Sequence, residues 1–144
     1  MAIEDRLDHV PPPGSCHARA TINVLESRAE PYDETAGPAL SILSIRETFE
    51  GDIEGESVVR ALQIRQEDGA IHMLSLQRVN GSLSGRKGSF VLQGSETIED
   101  KTIKASWFVV PGSGTGELSG LRGTGGFEGR FGEGSHGTLD YWFD

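Results

Sequence analysis

Basic residues are scarce in this chain. Thirteen Lys and Arg stand against 22 Asp and Glu, leaving a formal net charge of −9 and a pI near 4.9. Contact with a phosphate backbone needs cationic side chains, so such a surface repels nucleic acid and anionic membranes. Long apolar runs are missing too: nothing approaches the ~18 residues that a membrane-spanning helix requires. Cysteine occurs once, at Cys16, so no internal disulfide can form, which suits a reducing compartment. The opening "MAIEDRLDHVPPPGS" carries early acids and three prolines where a signal peptide needs basic and then apolar residues. These features predict a flexible leader over 1–15, a single domain over 16–144, and a cytoplasmic protein. Cys16 adjoins His17, but neighbours on an extended strand point to opposite faces. A free thiol at the start of the first strand is favoured over a nucleophile–base pair.

Several kinds of chemistry lack their motifs. The four histidines, His9, His17, His72 and His136, show no metal-ligand spacing, and no metal or other cofactor is expected. A Gly-x-Ser-x-Gly nucleophile elbow is missing. The acidic run Glu50, Asp52, Glu54, Glu56 lacks the spacing of a calcium loop and reads as a solvated hairpin tip. Glycine, by contrast, is abundant at 20 residues, concentrated in "VVPGSGTGELSGLRGTGGFEGR". That segment has no lysine for a phosphate-binding loop. Its echo, "GTGELSG" then "GTGGFEG", sets one large apolar residue among glycines, as in a tightly curved sheet where backbones approach closely.

Helical periodicity is missing as well. Short alternating runs between turn signals recur instead, predicting strands near 17–27, 40–50, 56–66, 70–80, 88–97, 102–110, 117–130 and 135–143. The implied fold is all-β, a barrel or sandwich. The blocks "VVPGSGTGELSGLRGTGGF", "GDIEGES", "GSFVLQ" and "LDY" resemble a bacterial family of unknown function, DUF3224, over about residues 18–144. The resemblance implies an eight-stranded antiparallel up-and-down barrel, similar to allene oxide cyclase within the lipocalin-like architecture, and brings no established activity. Two positions depart from that family's pattern. Gln77-Arg78 replaces a frequent Glu-Arg, and Gly94 replaces a frequent His.

Barrel strands alternate inward and outward side chains, so facing follows from sequence. Leu43, Ile45, Glu47 and Phe49 form the more apolar face of the second strand, and Ile103, Ala105, Trp107 and Val109 that of the sixth. In the last strand Leu139, Tyr141 and Phe143 point inward, with His136, Asp140 and Trp142 outward. Centring the turns between these strands sets Glu47 against Arg60, Arg60 against Gln77, Gln77 against Gly94, Gly94 against Trp107, and Trp107 against Gly120. Leu62, Met73 and Ser75 flank that row.

A polar row with two glycines inside an apolar barrel is a candidate ligand cavity. Two readings follow. In the first, the protein is a cofactor-independent enzyme of isomerase or cyclase type, acting on a small, largely apolar or amphipathic metabolite. Glu47 is the general base or holds Arg60, Arg60 and Gln77 polarise an oxygen, and Trp107 offers its π face. Gly94, Gly120, Ser75, Met73, Leu62 and Tyr141 complete the binding surface. In the second, the same lumen belongs to a non-catalytic carrier or sensor. The cluster also has a purely structural reading, with a buried Glu47–Arg60 ion pair fixing register and Trp107 filling the core. The outward strip of His136, Asp140 and Trp142 is a candidate homo-oligomer contact.

Overall fold

The structure, a computed structural model, describes residues 9–130 and 133–144. Eight strands follow one another: β1 (Cys16–Asp33), β2 (Leu40–Gly51), β3 (Ile53–Arg65), β4 (Ile71–Leu83), β5 (Arg86–Glu99), β6 (Thr102–Val109), β7 (Leu121–Arg130) and β8 (Ser135–Phe143). Each pairs antiparallel with the next, and β8 pairs with β1, closing the barrel. Closure leaves few unpaired sheet edges. Between β6 and β7 lies a single 3-10 turn, Gly116–Leu118, and no helix among the described residues is long and apolar enough to cross a membrane. Residues 1–8 of the expected leader lie outside the described residues; after them, His9 stacks on Phe108 with ring centroids 3.8 Å apart.

The glycine-rich segment becomes β7, and two of its glycines show why bulk is excluded there. A Cβ on Gly125 would stand 2.1 Å from the Thr138 carbonyl oxygen of β8, and one on Gly126 equally close to that of Ala105 on β6. Both neighbouring backbones crowd this strand, the close approach that glycine in a strand permits.

The two ends of the barrel differ. At one end the turns after β2, β4 and β6 meet the start of β1 and the end of β8. Phe49, Ile53, Val79, Leu83, Phe90, Leu92, Val109, Leu118, Leu121 and Leu139 are almost wholly buried there. Leu118, carried inward by the 3-10 turn, plugs this end. Glu117 secures the turn by accepting the Lys87 backbone N–H at 3.0 Å, and the Thr115 N–H donates to the Ser89 carbonyl. Burying each large side chain in this set contributes about 1.5–3 kcal/mol.

At the other end several inward side chains are only partly covered. Leu43, Ile45 and Glu47 on β2, Ile98 on β5, Ile103 and Ala105 on β6, and Phe127 on β7 are all half-buried. A smaller apolar cluster of Ala61, Ile71 and Met73, with Leu43 and Ile98 against it, lines this mouth. β1 shifts register between Val24 and Glu26, and its last residues run alongside β2 beyond the end of β8, which pairs only with Cys16–Ile22. The barrel is thus dry at one end and open at the other.

Three of the connections, those after β2, β3 and β6, differ from the expected register by an odd number of residues. β2 and β3 turn at Gly51-Asp52, so Glu47 pairs with Ser57 instead of Arg60. The offset of three residues turns β3 over. Arg60 consequently lies exposed on the outer wall, its guanidinium donating only to the Val59 carbonyl at 3.3 Å, and Leu62 beside it is 51% exposed. The next turn differs by one residue, Leu62 pairing with Leu74. That second odd offset cancels the first, and Met73, Ser75 and Gln77 point inward as the alternation predicts. Across β4–β5 the register differs by two residues, so Gly94 stands opposite Ser75 and not Gln77, with the facing unchanged. The β5–β6 register is as predicted, with Gly94 opposite Trp107. Across β6–β7 the 3-10 turn takes up extra chain, so Trp107 faces Gly125 and not Gly120. Gly120 lies outside the strands at the closed end, at φ +84°, accepting the Asp144 N–H through its carbonyl.

Candidate functional site

Where the dry half meets the open half, alternation gathers polar side chains inside the wall. β2 contributes Glu47, β3 Ser57, β4 Ser75 and Gln77, and β5 Gly94 and Glu96. Ser57, Ser75, Gln77 and Glu96 are all buried. Trp107 forms the boundary. Along β6, Val109 on its closed side is fully buried, whereas Ala105 and Ile103 on its open side are half-exposed. The indole N–H donates to the Thr138 carbonyl at 3.0 Å. Its ring stands 5.2 Å from that of Phe127 and 6.2 Å from that of Phe49. Its far edge covers Gly137, where a Cβ would come within 3.1 Å of it. With its donor satisfied, Trp107 offers a guest only its aromatic surface.

Two members of the cluster, Ser57 and Glu96, are not among the residues expected from sequence. Of these Glu96 is the charged one. It lies two residues beyond Gly94 on the same inward face and is 5% exposed. Its Oε2 accepts from the Ser75 hydroxyl at 2.9 Å. Glu47 accepts from Ser57 at 3.5 Å. Burial pushes both carboxyls up to about 7, against the lowering effect of each serine, and the Glu47 charge raises Glu96 further. Both carboxyls thus stand near neutrality on one inner wall, chiefly because burial disfavours their charge.

Gly94 makes the Glu96–Ser75 contact possible. A Cβ there would sit 2.5 Å from Glu96 Oε2 and 2.8 Å from Ser75 Oγ. Gly94→Ala is therefore expected to break that hydrogen bond and cost about 1–3 kcal/mol. Without the serine donor, the Glu96 carboxyl should titrate higher than in the unaltered protein. Carbon-13 NMR of the glutamate side chains reads that midpoint; an unmoved titration would refute the packing described.

Gln77 is 5% exposed, and its Oε1 has no hydrogen-bond partner. A buried acceptor without a donor costs about 1–3 kcal/mol, so this oxygen is a point where a guest would gain. Glu47, Gln77, Ser75, Gly94, Met73 and Trp107 thus all face the interior. Tyr141 faces inward too, but at the closed end, where its hydroxyl donates to Ser84 Oγ at 3.0 Å. Arg60, Leu62 and Gly120 leave the site for the register reasons given above. No Glu47–Arg60 ion pair exists, so that part of the structural reading falls; its other part stands, Trp107 filling the core with its N–H bonded to a neighbour.

Two shallow grooves open on the barrel. One, about 440 Å³, is lined by Arg19, Thr21, Glu50, His136 and Thr138 among others; the other, about 280 Å³, by Tyr32, Leu40, Leu62, His72 and Leu74 among others, and it reaches Met73 and Glu96 of the cluster. On the outward strip of β8, Asp140 pairs with His17 at 2.5 Å, and Arg122 lies over the Trp142 ring at 5.9 Å, so both are engaged within the chain. Cys16 is exposed, and among the described residues no group of three or more His, Cys, Asp or Glu side chains is placed to hold a metal.

Comparison with curated proteins gives no match. Among solved structures, a protein with unknown function from the DUF3224 family of Shewanella oneidensis MR-1 superposes with a TM-score of 0.77 at 27% identity, covering 90% of this chain and 98% of that one. Residues 18–144 match the family described as "Protein of unknown function (DUF3224)". With the match spanning every strand of the barrel and a solved member sharing its architecture, this chain belongs to the DUF3224 family.

Proposed function

We propose that the open half of the barrel is the active site of a cofactor-independent isomerase or cyclase acting on a small, largely apolar molecule. The observation that carries this reading is the Glu47–Glu96 pair, two carboxyls held near neutrality in one cluster. Near pH 7 such a pair supplies a base and an acid together, the match of pKa to working pH that proton transfer favours. In the ionised member a carboxylate removes a C–H proton, and the released electron pair forms a new π bond. The old π bond opens to take a proton from the protonated member. The skeleton is isomerised, no electrons are gained or lost overall, and the pair ends with its two proton positions exchanged. Ser57 and Ser75 hold the carboxyls, Trp107 and Phe127 present apolar faces, and Gln77 orients a polar group of the substrate.

Proton exchange with solvent makes the test independent of knowing the substrate. Purified protein incubated in D2O with a metabolite extract is expected to place deuterium on carbon in a specific metabolite, detected by mass spectrometry. Glu47→Gln and Glu96→Gln should each abolish that incorporation. Incorporation that survives in both variants would remove the pair from the chemistry. The carrier reading is favoured by a different observation, the unpartnered Gln77 Oε1, which is a binding determinant and not a reacting group. A guest that co-purifies and is released unaltered, with no deuterium uptake, would select it.

A further inference from the structure

The inner wall is acidic without being basic anywhere between its rims. From β1 to β8 the inward positions of the middle of the barrel hold Glu47 and Glu96 and no Lys, Arg or His. Arg65 and Arg86 alternate inward only at the ends of their strands, Arg65 at the open rim and Arg86 at the closed one, and both are exposed. Arg86 lies over the Phe143 ring, 4.3 Å from its centroid. Arg60, the cation expected opposite Glu47, is on the outer wall. The charged atoms left to receive a guest are carboxylate oxygens, one on Glu47 and one on Glu96 being already engaged by serines, and beside them stands the unpartnered Gln77 Oε1, on a side chain 5% exposed. Beside them lie the faces of Trp107 and Phe127.

Buried carboxylates demand a countercharge, and this wall supplies none. An anionic guest, a carboxylate or phosphate ester, would meet like charge on Glu47 and Glu96 and no cationic donor to offset it, the Gln77 amide and the serines being neutral. A protonated nitrogen satisfies every term together: it pairs with the carboxylates, donates N–H to the Gln77 oxygen, and is attracted by aromatic faces. We infer that the guest of this site is a hydrophobic nitrogen base bound as its cation, an ammonium or iminium on an apolar skeleton. This rests on the open half being the binding site and adds the charge of what enters it.

The test uses three probes of one length, hexylammonium, 1-hexanol and hexanoate, titrated into a Trp142→Phe background so that Trp107 alone reports by fluorescence. Trp142 is on the outer wall, away from the site. Hexylammonium is expected to bind at least tenfold tighter than hexanol, and hexanoate not measurably. Because a cation favours the ionised carboxyls, binding at pH 6.5 should also release protons, read by calorimetry in two buffers of different ionisation enthalpy. In Glu47→Gln/Glu96→Gln the preference for the cation over the alcohol should vanish. Hexanoate binding as well as hexylammonium, or cation uptake without proton release, would overturn the inference on the unaltered carboxyls alone. Hexanol binding with no preference for the cation would overturn the charge assignment and leave the site standing. No binding by any probe, with unmoved Glu47 and Glu96 carbon-13 shifts, would overturn both.

Discussion

Replacing Trp107 with alanine is expected to remove about 3–5 kcal/mol of stability, the usual cost of emptying a buried aromatic position. For a chain of this size that corresponds to a fall in Tm on the order of 10 °C. The indole is 3% exposed, packs on Phe49 and Phe127, covers Gly137 and satisfies the Thr138 carbonyl. No neighbour can collapse into its volume, because Gly125 and Gly137 lie where side chains would otherwise fill it. Trp107 is also the floor of the open half, so its loss should admit water to Leu139 and the wholly buried layer beyond. Urea unfolding of Trp107→Ala beside Trp142→Ala separates the two tryptophans. A cost under about 1 kcal/mol at Trp107 would mean that it does not divide the barrel as described.

The second large effect concerns pH. Glu47 and Glu96 have pKa values of about 7 in the folded chain, against an ordinary value of 4.5. Between those values the native state binds more protons than the unfolded one, so stability falls as pH rises. The neutral carboxyls give their full benefit below about pH 4.5; it is lost as pH rises through 7, and the loss levels off above that. A shift of this size is worth about 3 kcal/mol per group, with the pair giving somewhat less than twice that if the two share their repulsion. Glu47→Gln/Glu96→Gln, neutral at every pH, should therefore be more stable than the unaltered protein by about 3–6 kcal/mol at pH 8. Near pH 4.5 the two should be close to equal. Parallel stability curves for the two proteins between pH 5 and 8 would show that neither carboxyl is held in the neutral form by burial.

Much of the fold could be read from the chain because alternation is strictly local. Leu43, Ile45, Glu47 and Phe49 identify one face of β2 without reference to any partner, and the same holds for β6 and β8. Pairing is not local. Whether Glu47 meets Arg60 or Ser57 depends on which of the residues 51–55 form the turn, and "GDIEG" offers a glycine at each end. Both take a positive φ, Gly51 at +129° and Gly55 at +148°; the turn forms at Gly51-Asp52, which shifts the register by three residues and exchanges an arginine for a serine in the site. Across β6–β7 the glycine-rich stretch gave no sign that a 3-10 turn would take up five residues before pairing began. Glu96 was legible: once Gly94 faces in, the residue two further on must do so as well. It was overlooked because a glutamate in "GSETIED" looks like one of several surface acids, and no local signal separates a buried carboxyl from an exposed one.

β8 meets β1 along the seam from Cys16 to Ile22, joining the earliest strand to be made with the last. Every other pairing links sequence neighbours and can form as soon as two adjacent strands exist. Closure is the one contact with a long loop to pay out, and it must wait until β8 has left the ribosome. Until then the nascent sheet has a raw border on β1, with Cys16 on it, and the Trp107 indole lacks the carbonyl on β8 that receives its proton. The slow step in making this protein should therefore be the shutting of that seam, and the growing chain is most open to sticking to others just before it.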